Sequence, residues 1–120
     1  MALVLIADDD ELSQLLLEQI LQRAGHNVVK ASNGENALDL AHLFRPTLAI
    51  VYDSMPRMTG VEFTRQLKRD PELRHIPVII TSSAMLTDGG SALLQQSGAN
   101  AIFSESRNRV KRTQGRIIGV

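Results

Sequence analysis

The stretch Leu48-Ala49-Ile50-Val51-Tyr52-Asp53-Ser54-Met55-Pro56-Arg57-Met58-Thr59-Gly60 decides the fold: an apolar run, an abrupt polar end, then a proline and a glycine. Continuous apolar residues without alternation suit a strand covered on both faces, as in a parallel sheet. In open α/β sheets ligands gather where such strands end, which here is at Tyr52 and Asp53. Leu3-Val4-Leu5-Ile6-Ala7-Asp8-Asp9-Asp10 repeats the design, with five apolar residues followed by three carboxylates. If the two strands are neighbours, Asp8, Asp9 and Asp53 converge on one pocket.

Working outward, Asp10 is placed to cap a helix from about Glu11 to Ala24, in which Leu12, Leu15, Leu16, Ile20 and Ala24 recur at three- and four-residue spacing and Gly25 supplies the stop. His26 to Ala31 reads as strand 2, and Glu35 to Phe44, with Ala37, Leu38, Ala41 and Phe44 on one stripe, as helix 2. Pro46 breaks that helix and launches strand 3. Val61, Phe63, Thr64, Leu67 and Lys68 give helix 3, which must end before Pro71, and Pro77 introduces strand 4, Val78-Ile79-Ile80, running into the hydroxyls Thr81, Ser82 and Ser83. A weak helix 4 is expected over Leu86 to Ser97, because Gly89 and Gly90 each cost roughly 1 kcal/mol against Ala. Ala101-Ile102-Phe103 is a brief strand 5. Arg107 to Val120 has five basic and no acidic residues and no apolar stripe, so helix 5 is weakly encoded.

Strands alternating with helices mean βαβ units, and right-handed crossovers then dictate an α/β, doubly wound, five-stranded parallel sheet. At 120 residues and 43% hydrophobic, the chain fits one compact domain. Residues 1–106 form its body and 107–120 a basic segment of the same domain, an atypical helix 5 or a tail. Thirteen basic residues balance thirteen acidic ones, so no net field draws the chain to nucleic acid or an acidic membrane. The absence of Cys excludes a disulfide framework and thiolate metal sites. No apolar window approaches the roughly 18 residues a spanning helix needs, and the N-terminus lacks a secretory pattern. A soluble, cytoplasmic protein is expected. His26, His42 and His75 have no paired ligand spacing and read as surface histidines.

With these motifs assembled, the sequence resembles the receiver domain of bacterial response regulators, the chemotaxis-regulator-like, flavodoxin-type (βα)5 fold, over about residues 2 to 106. Leu3 to Asp10 is similar to the family's first strand and acidic pair, which implies Asp8 and Asp9, with Ser54, as the residues that hold Mg2+. Pro46 to Val51 and Met55 to Gly60 resemble the third strand and its loop, Ile76 to Ile80 with the following hydroxyls the switch strand, and Gly98-Ala99-Asn100-Ala101 the turn before strand 5. The resemblance implies phosphorelay signalling in a two-component system, with a histidine kinase, a phosphotransfer protein or an output protein as partners. In such domains an aspartate attacks a phosphorus, a cation neutralises its charge, a lysine pairs with the transferred group and a hydroxyl then swings in.

Two of those four roles depart from the pattern. Counting from Pro46, Pro56 and Gly60, the acceptor position is Tyr52, and Asp53 follows it; counting from Gly98, the lysine position is Glu105. The switch hydroxyl is Ser82 counted from Pro77, or Ser83 counted back from Gly98. A one-residue slip turns a strand side chain to the other face, so Asp53 fills the acceptor position only in a bulged or shifted frame. The expectation is a degenerate, or pseudo-receiver, domain that works by protein contact without Asp phosphorylation and binds Mg2+ weakly or not at all. Two alternatives stand beside it: an Mg2+-dependent phosphoacceptor using Asp53, and a small metal-dependent phosphohydrolase built on Asp8, Asp9, Asp53 and Glu105. No residue set is assigned as catalytic. No enzyme activity is expected beyond the self-phosphorylation and self-dephosphorylation typical of receivers. Exchange of the helix 5 face between two subunits would give a homodimer, the expected assembly.

Overall fold

A computed structural model of the chain describes residues 2–82, 97–104 and 109–112. Its elements are β1 (Leu3–Ala7), α1 (Glu11–Arg23), β2 (Asn27–Ala31), α2 (Gly34–Phe44), β3 (Leu48–Tyr52), α3 (Gly60–Arg69), β4 (Val78–Ser82), β5 (Ala101–Ser104) and β6 (Arg109–Arg112). They lie in one sheet of order β2-β1-β3-β4-β5-β6. The first five strands are parallel, as the doubly wound reading requires.

Each of the described helices starts where the sequence supplies a cap. The Asp10 carboxylate accepts the Ser13 N–H (2.9 Å) and the Ser13 hydroxyl (2.7 Å), which holds its pKa below the ordinary value. Asn33 caps α2 through the Asn36 N–H at 2.8 Å. Thr59 and Glu62 form a reciprocal capping box at the start of α3, with Glu62 N–H to Thr59 Oγ1 at 3.1 Å and Thr59 N–H to Glu62 Oε1 at 3.0 Å. Gly25, at φ +91°, takes the left-handed turn that ends α1.

The core lies between the sheet and α2 and α3. Leu5, Ala7, Ala49, Val51, Val78, Ile80 and Ile102 project from alternate strand positions onto Ala37, Ala41, Phe63 and Leu67, all fully buried or nearly so. Burial of each large member contributes about 1.5–3 kcal/mol. The opposite face, carrying Ile6, Ile50, Tyr52, Ile79, Thr81 and Phe103, meets only α1 among the described helices.

One feature goes beyond the expectation and one differs from it. The apolar stripe of α1 does not enter the core: Leu12, Leu15, Leu16 and Ile20 are all substantially exposed, and no residue of α1 is buried. Periodicity locates an apolar face but does not say what covers it. The basic C-terminal segment, read as a weak helix or a tail, contributes β6, which runs antiparallel to β5 with Phe103 opposite Val110 and Ala101 opposite Arg112. A segment with no helical stripe and a β-branched residue between cations suits a charged edge strand. Helix 4, the Gly89-Gly90 pair and residues 113–120 lie outside the described residues.

Candidate functional site at the end of the third strand

β1 and β3 are hydrogen-bonded neighbours, with Ala7 beside Val51, so Asp8 and Tyr52 follow at adjoining strand ends. β3 then pairs with β4 in an unbroken register from Ala49 opposite Val78 to Tyr52 opposite Thr81. The Asp53 N–H continues it, donating to the Thr81 carbonyl at 2.9 Å, which brings Asp53 alongside Ser82. No bulge interrupts the strand, and strand alternation therefore separates Tyr52 from Asp53. Tyr52 lines the α1 side with Asp8, Thr81 and Phe103. Asp53 turns toward α3, where its carboxylate accepts the Val61 N–H at 3.3 Å.

Two opposing effects set the Asp53 charge. Partial burial pushes its pKa above the ordinary carboxylate value, and the Val61 N–H pulls it back down. The Asp53 carbonyl accepts the N–H groups of both Met55 and Gly60 at 3.0 Å, which clasps the β3–α3 loop into a tight ring. Gly60 completes that clasp because nothing larger fits: a Cβ there would stand 2.8 Å from the Tyr52 carbonyl oxygen and 2.9 Å from the Asp53 Cα.

The remaining candidates are distributed around this point. Asp8 is half-buried and its Oδ1 accepts the Asp10 N–H at 3.0 Å, whereas Asp9 is exposed. Gln14 braces the turn after β1 by donating to the carbonyls of Asp8 and Ala31. Ser54 is exposed in the β3–α3 loop, and Ser82 is buried at the end of β4. Ser83 and Glu105 lie outside the described residues. Among the described residues no three Asp, Glu or His side chains gather into a group that could hold a metal ion. Mg2+ takes a near-octahedral oxygen shell, usually with one or two carboxylates and several waters. Here Asp8 and Asp9 are the carboxylates after β1, and Tyr52 brings a phenol to the adjoining end of β3.

Sequence reasoning missed Lys68. Its ammonium, near the opposite end of the sheet, donates to the Ile76 carbonyl (2.7 Å), Asn100 Oδ1 (3.1 Å) and the Arg74 carbonyl (3.3 Å), and burial lowers its pKa. The same Asn100 Oδ1 accepts the Val78 N–H at 3.0 Å, so α3, β4 and the turn before β5 meet at one polar node. Helical periodicity placed Lys68 on the inner stripe with Leu67, and a cation at that position was the available signal.

Residues 4–108 match the family model described as the response regulator receiver domain. Among curated relatives, the polar-differentiation response regulator DivK of Brucella anthropi is 39% identical over 103 residues, covering 85% of this chain and 82% of that protein. Among solved structures, the signal receiver domain of a signal transduction histidine kinase from Syntrophus aciditrophicus superposes with a TM-score of 0.82 at 30% identity, over 88% of this chain and 79% of that one. The receiver domain of a sensor histidine kinase from Pseudomonas aeruginosa, which has a magnesium ion coordinated in its active-site cleft, shares the fold with a TM-score of 0.79 at 22% identity, over 87% of this chain and 84% of that one.

Proposed function

The chain belongs to the response regulator receiver domain family of two-component signalling, and we propose that within it this protein signals by protein–protein contact without phosphorylation of an aspartate. The observation that carries this reading is the unbroken β3–β4 register. It leaves Tyr52 at the strand-end position and turns the next residue, Asp53, toward α3. A tyrosine phenol cannot form the acyl phosphate that an aspartate forms, and Glu105 places negative charge where the family pattern has a lysine. Charge that would build up on a transferring phosphoryl group then has no cationic clamp in the sequence pattern. Mg2+ binding at Asp8 and Asp9 is correspondingly weak or absent in this reading. The partners are proteins of the same signalling chemistry: a histidine kinase, a phosphotransfer protein or an output protein, with a second copy of the chain as a further candidate. The protein is not an enzyme in its own right.

One observation favours a second reading. Asp53 stands beside Ser82 in the strand register, and its carboxylate meets the N-terminus of α3, a position where backbone N–H groups favour an anion. An Asp53 phosphoacceptor with Ser82 as its switch is the form this alternative takes.

Intact mass after incubation with acetyl phosphate and Mg2+, with an Asp53→Asn control, separates the two. No mass gain supports the contact module. A gain of one phosphoryl group that vanishes in the control overturns it in favour of the Asp53 acceptor.

A further inference from the structure

α1 carries two apolar surfaces. Leu17 and Leu21 are half-buried, and α1 as a whole packs against β1 and β2. Leu12, Leu16 and Ile20 form a separate i, i+4 ridge and are 62%, 54% and 63% exposed, with Leu15 beside them at 45%. Next to this ridge a cavity of about 420 Å3 opens between α1 and the sheet, its wall including Leu16, Ile20, Ile50, Ile79 and Phe103. Contiguous large apolar side chains on a surface helix mark a contact surface.

The charge pattern at the ends of the ridge selects the occupant. Asp9 and Arg23 are exposed, and neither takes part in an ion pair among the described residues. Arg23 lies on the same helical arc as the ridge, and Asp9 lies three residues before Leu12, just outside the helix. Positions 12 and 20 are equidistant from 16, and so are positions 9 and 23. A two-fold axis through Leu16 in an antiparallel pair of α1 helices therefore sets Leu16 against the partner's Leu16 and Leu12 against the partner's Ile20, and brings the turn that carries Asp9, just before the helix, to the helix end that carries the partner's Arg23. Self-complementarity of this kind is what an isologous interface requires. The antiparallel arrangement also brings the acidic helix start, Asp9-Asp10-Glu11, to the partner's helix end, where the macrodipole is of opposite sign. With Arg23 as its single cation, α1 offers no comparable fit to nucleic acid or an acidic membrane.

We infer that two copies of this chain pair antiparallel through the Leu12-Leu16-Ile20 ridge of α1, with Asp9 and Arg23 closing both ends of the contact. The inference deepens the contact-module reading by naming a second copy as one partner. The two fail separately, because phosphoryl uptake tests one and self-association the other.

Sedimentation velocity of the full chain across a concentration series is the test. A reversible monomer–dimer equilibrium that weakens with salt is expected. Leu16→Lys, which sets two like charges together on the axis, leaves a monomer with unchanged far-ultraviolet circular dichroism. Arg23→Asp raises the dimer Kd by about tenfold, and Asp9→Arg combined with Arg23→Asp restores it. The two charge variants alter exposed residues and carry the test alone if Leu16→Lys fails to fold. A wild-type chain that remains monomeric at every concentration overturns the inference. So does a dimer indifferent to these substitutions.

Discussion

Gly60 backs onto Tyr52: a methyl group on the glycine would lie 2.8 Å from the tyrosine's carbonyl oxygen, inside any ordinary contact. The two residues are eight apart in sequence, and their approach closes the loop that fixes where β3 ends and where Asp53 points. Gly60→Ala must push α3 away from the strand or open the clasp at the Asp53 carbonyl. A loss of about 1–3 kcal/mol is expected, read by urea denaturation. The amide resonances of Tyr52, Asp53 and Val61 should move most. A variant of unchanged stability with a silent Asp53 amide would show that the clasp is not under steric control.

Asp53 gives a stability prediction with a definite sign. Burial raises its pKa in the folded state, so the native chain holds a proton that the unfolded chain has released in the window just above the ordinary carboxylate value. The associated stability is present below the unfolded pKa and is lost as pH rises through the folded one. At neutral pH the ionised, desolvated carboxylate is thus a cost. Asp53→Asn keeps an oxygen for the Val61 N–H and removes the charge, so its Tm should exceed that of wild type at pH 7. The difference should shrink as pH falls below the carboxylate range. A lower Tm at pH 7 would mean that the α3 N-terminus favours the charge by more than burial opposes it.

Lys68 should prove structural despite its charge. Replacing it with Met fills similar space but strips a donor from the Ile76 carbonyl, the Arg74 carbonyl and Asn100 Oδ1 at once. Loss of about 1–3 kcal/mol is expected, measured by chemical denaturation at pH 7. Because burial lowers the Lys68 pKa, the unfolded chain binds the extra proton below the ordinary lysine value. The wild-type contribution therefore grows as pH rises through the folded pKa, and the gap to the Met variant should widen toward alkaline pH.

Restoring the acceptor alone should not restore the chemistry. Tyr52→Asp supplies a carboxylate at the strand end, but the sequence still has Glu105 at the position where the family pattern has a lysine, so mass spectrometry after acetyl phosphate treatment should show little uptake. The double variant Tyr52→Asp with Glu105→Lys should take up one phosphoryl group in an Mg2+-dependent manner. Equal uptake by the single and double variants would remove the cationic clamp from the argument.

Much of this protein was legible in its sequence because the signals are local. Apolar runs marked five strands, and Asp10 marked the start of α1 through backbone N–H groups within three residues. Counting from Pro56 and Gly60 placed Tyr52 at the strand end, since a strand without a bulge preserves its spacing. Three matters required the tertiary structure. The Tyr52–Thr81 register excludes a bulge, and hydrogen bonding between strands 29 residues apart in sequence leaves no trace in either one. The exposure of Leu12, Leu16 and Ile20 depends on what packs over α1, whereas periodicity reports only that the face is apolar. The pairing of β6 with β5, antiparallel and beside an otherwise parallel sheet, depends on where the edge of that sheet lies when the chain turns back. Sequence determined the five parallel strands, the three described helices and the order of polar groups at the strand ends; long-range packing decided which face each group met and made the basic segment an edge strand.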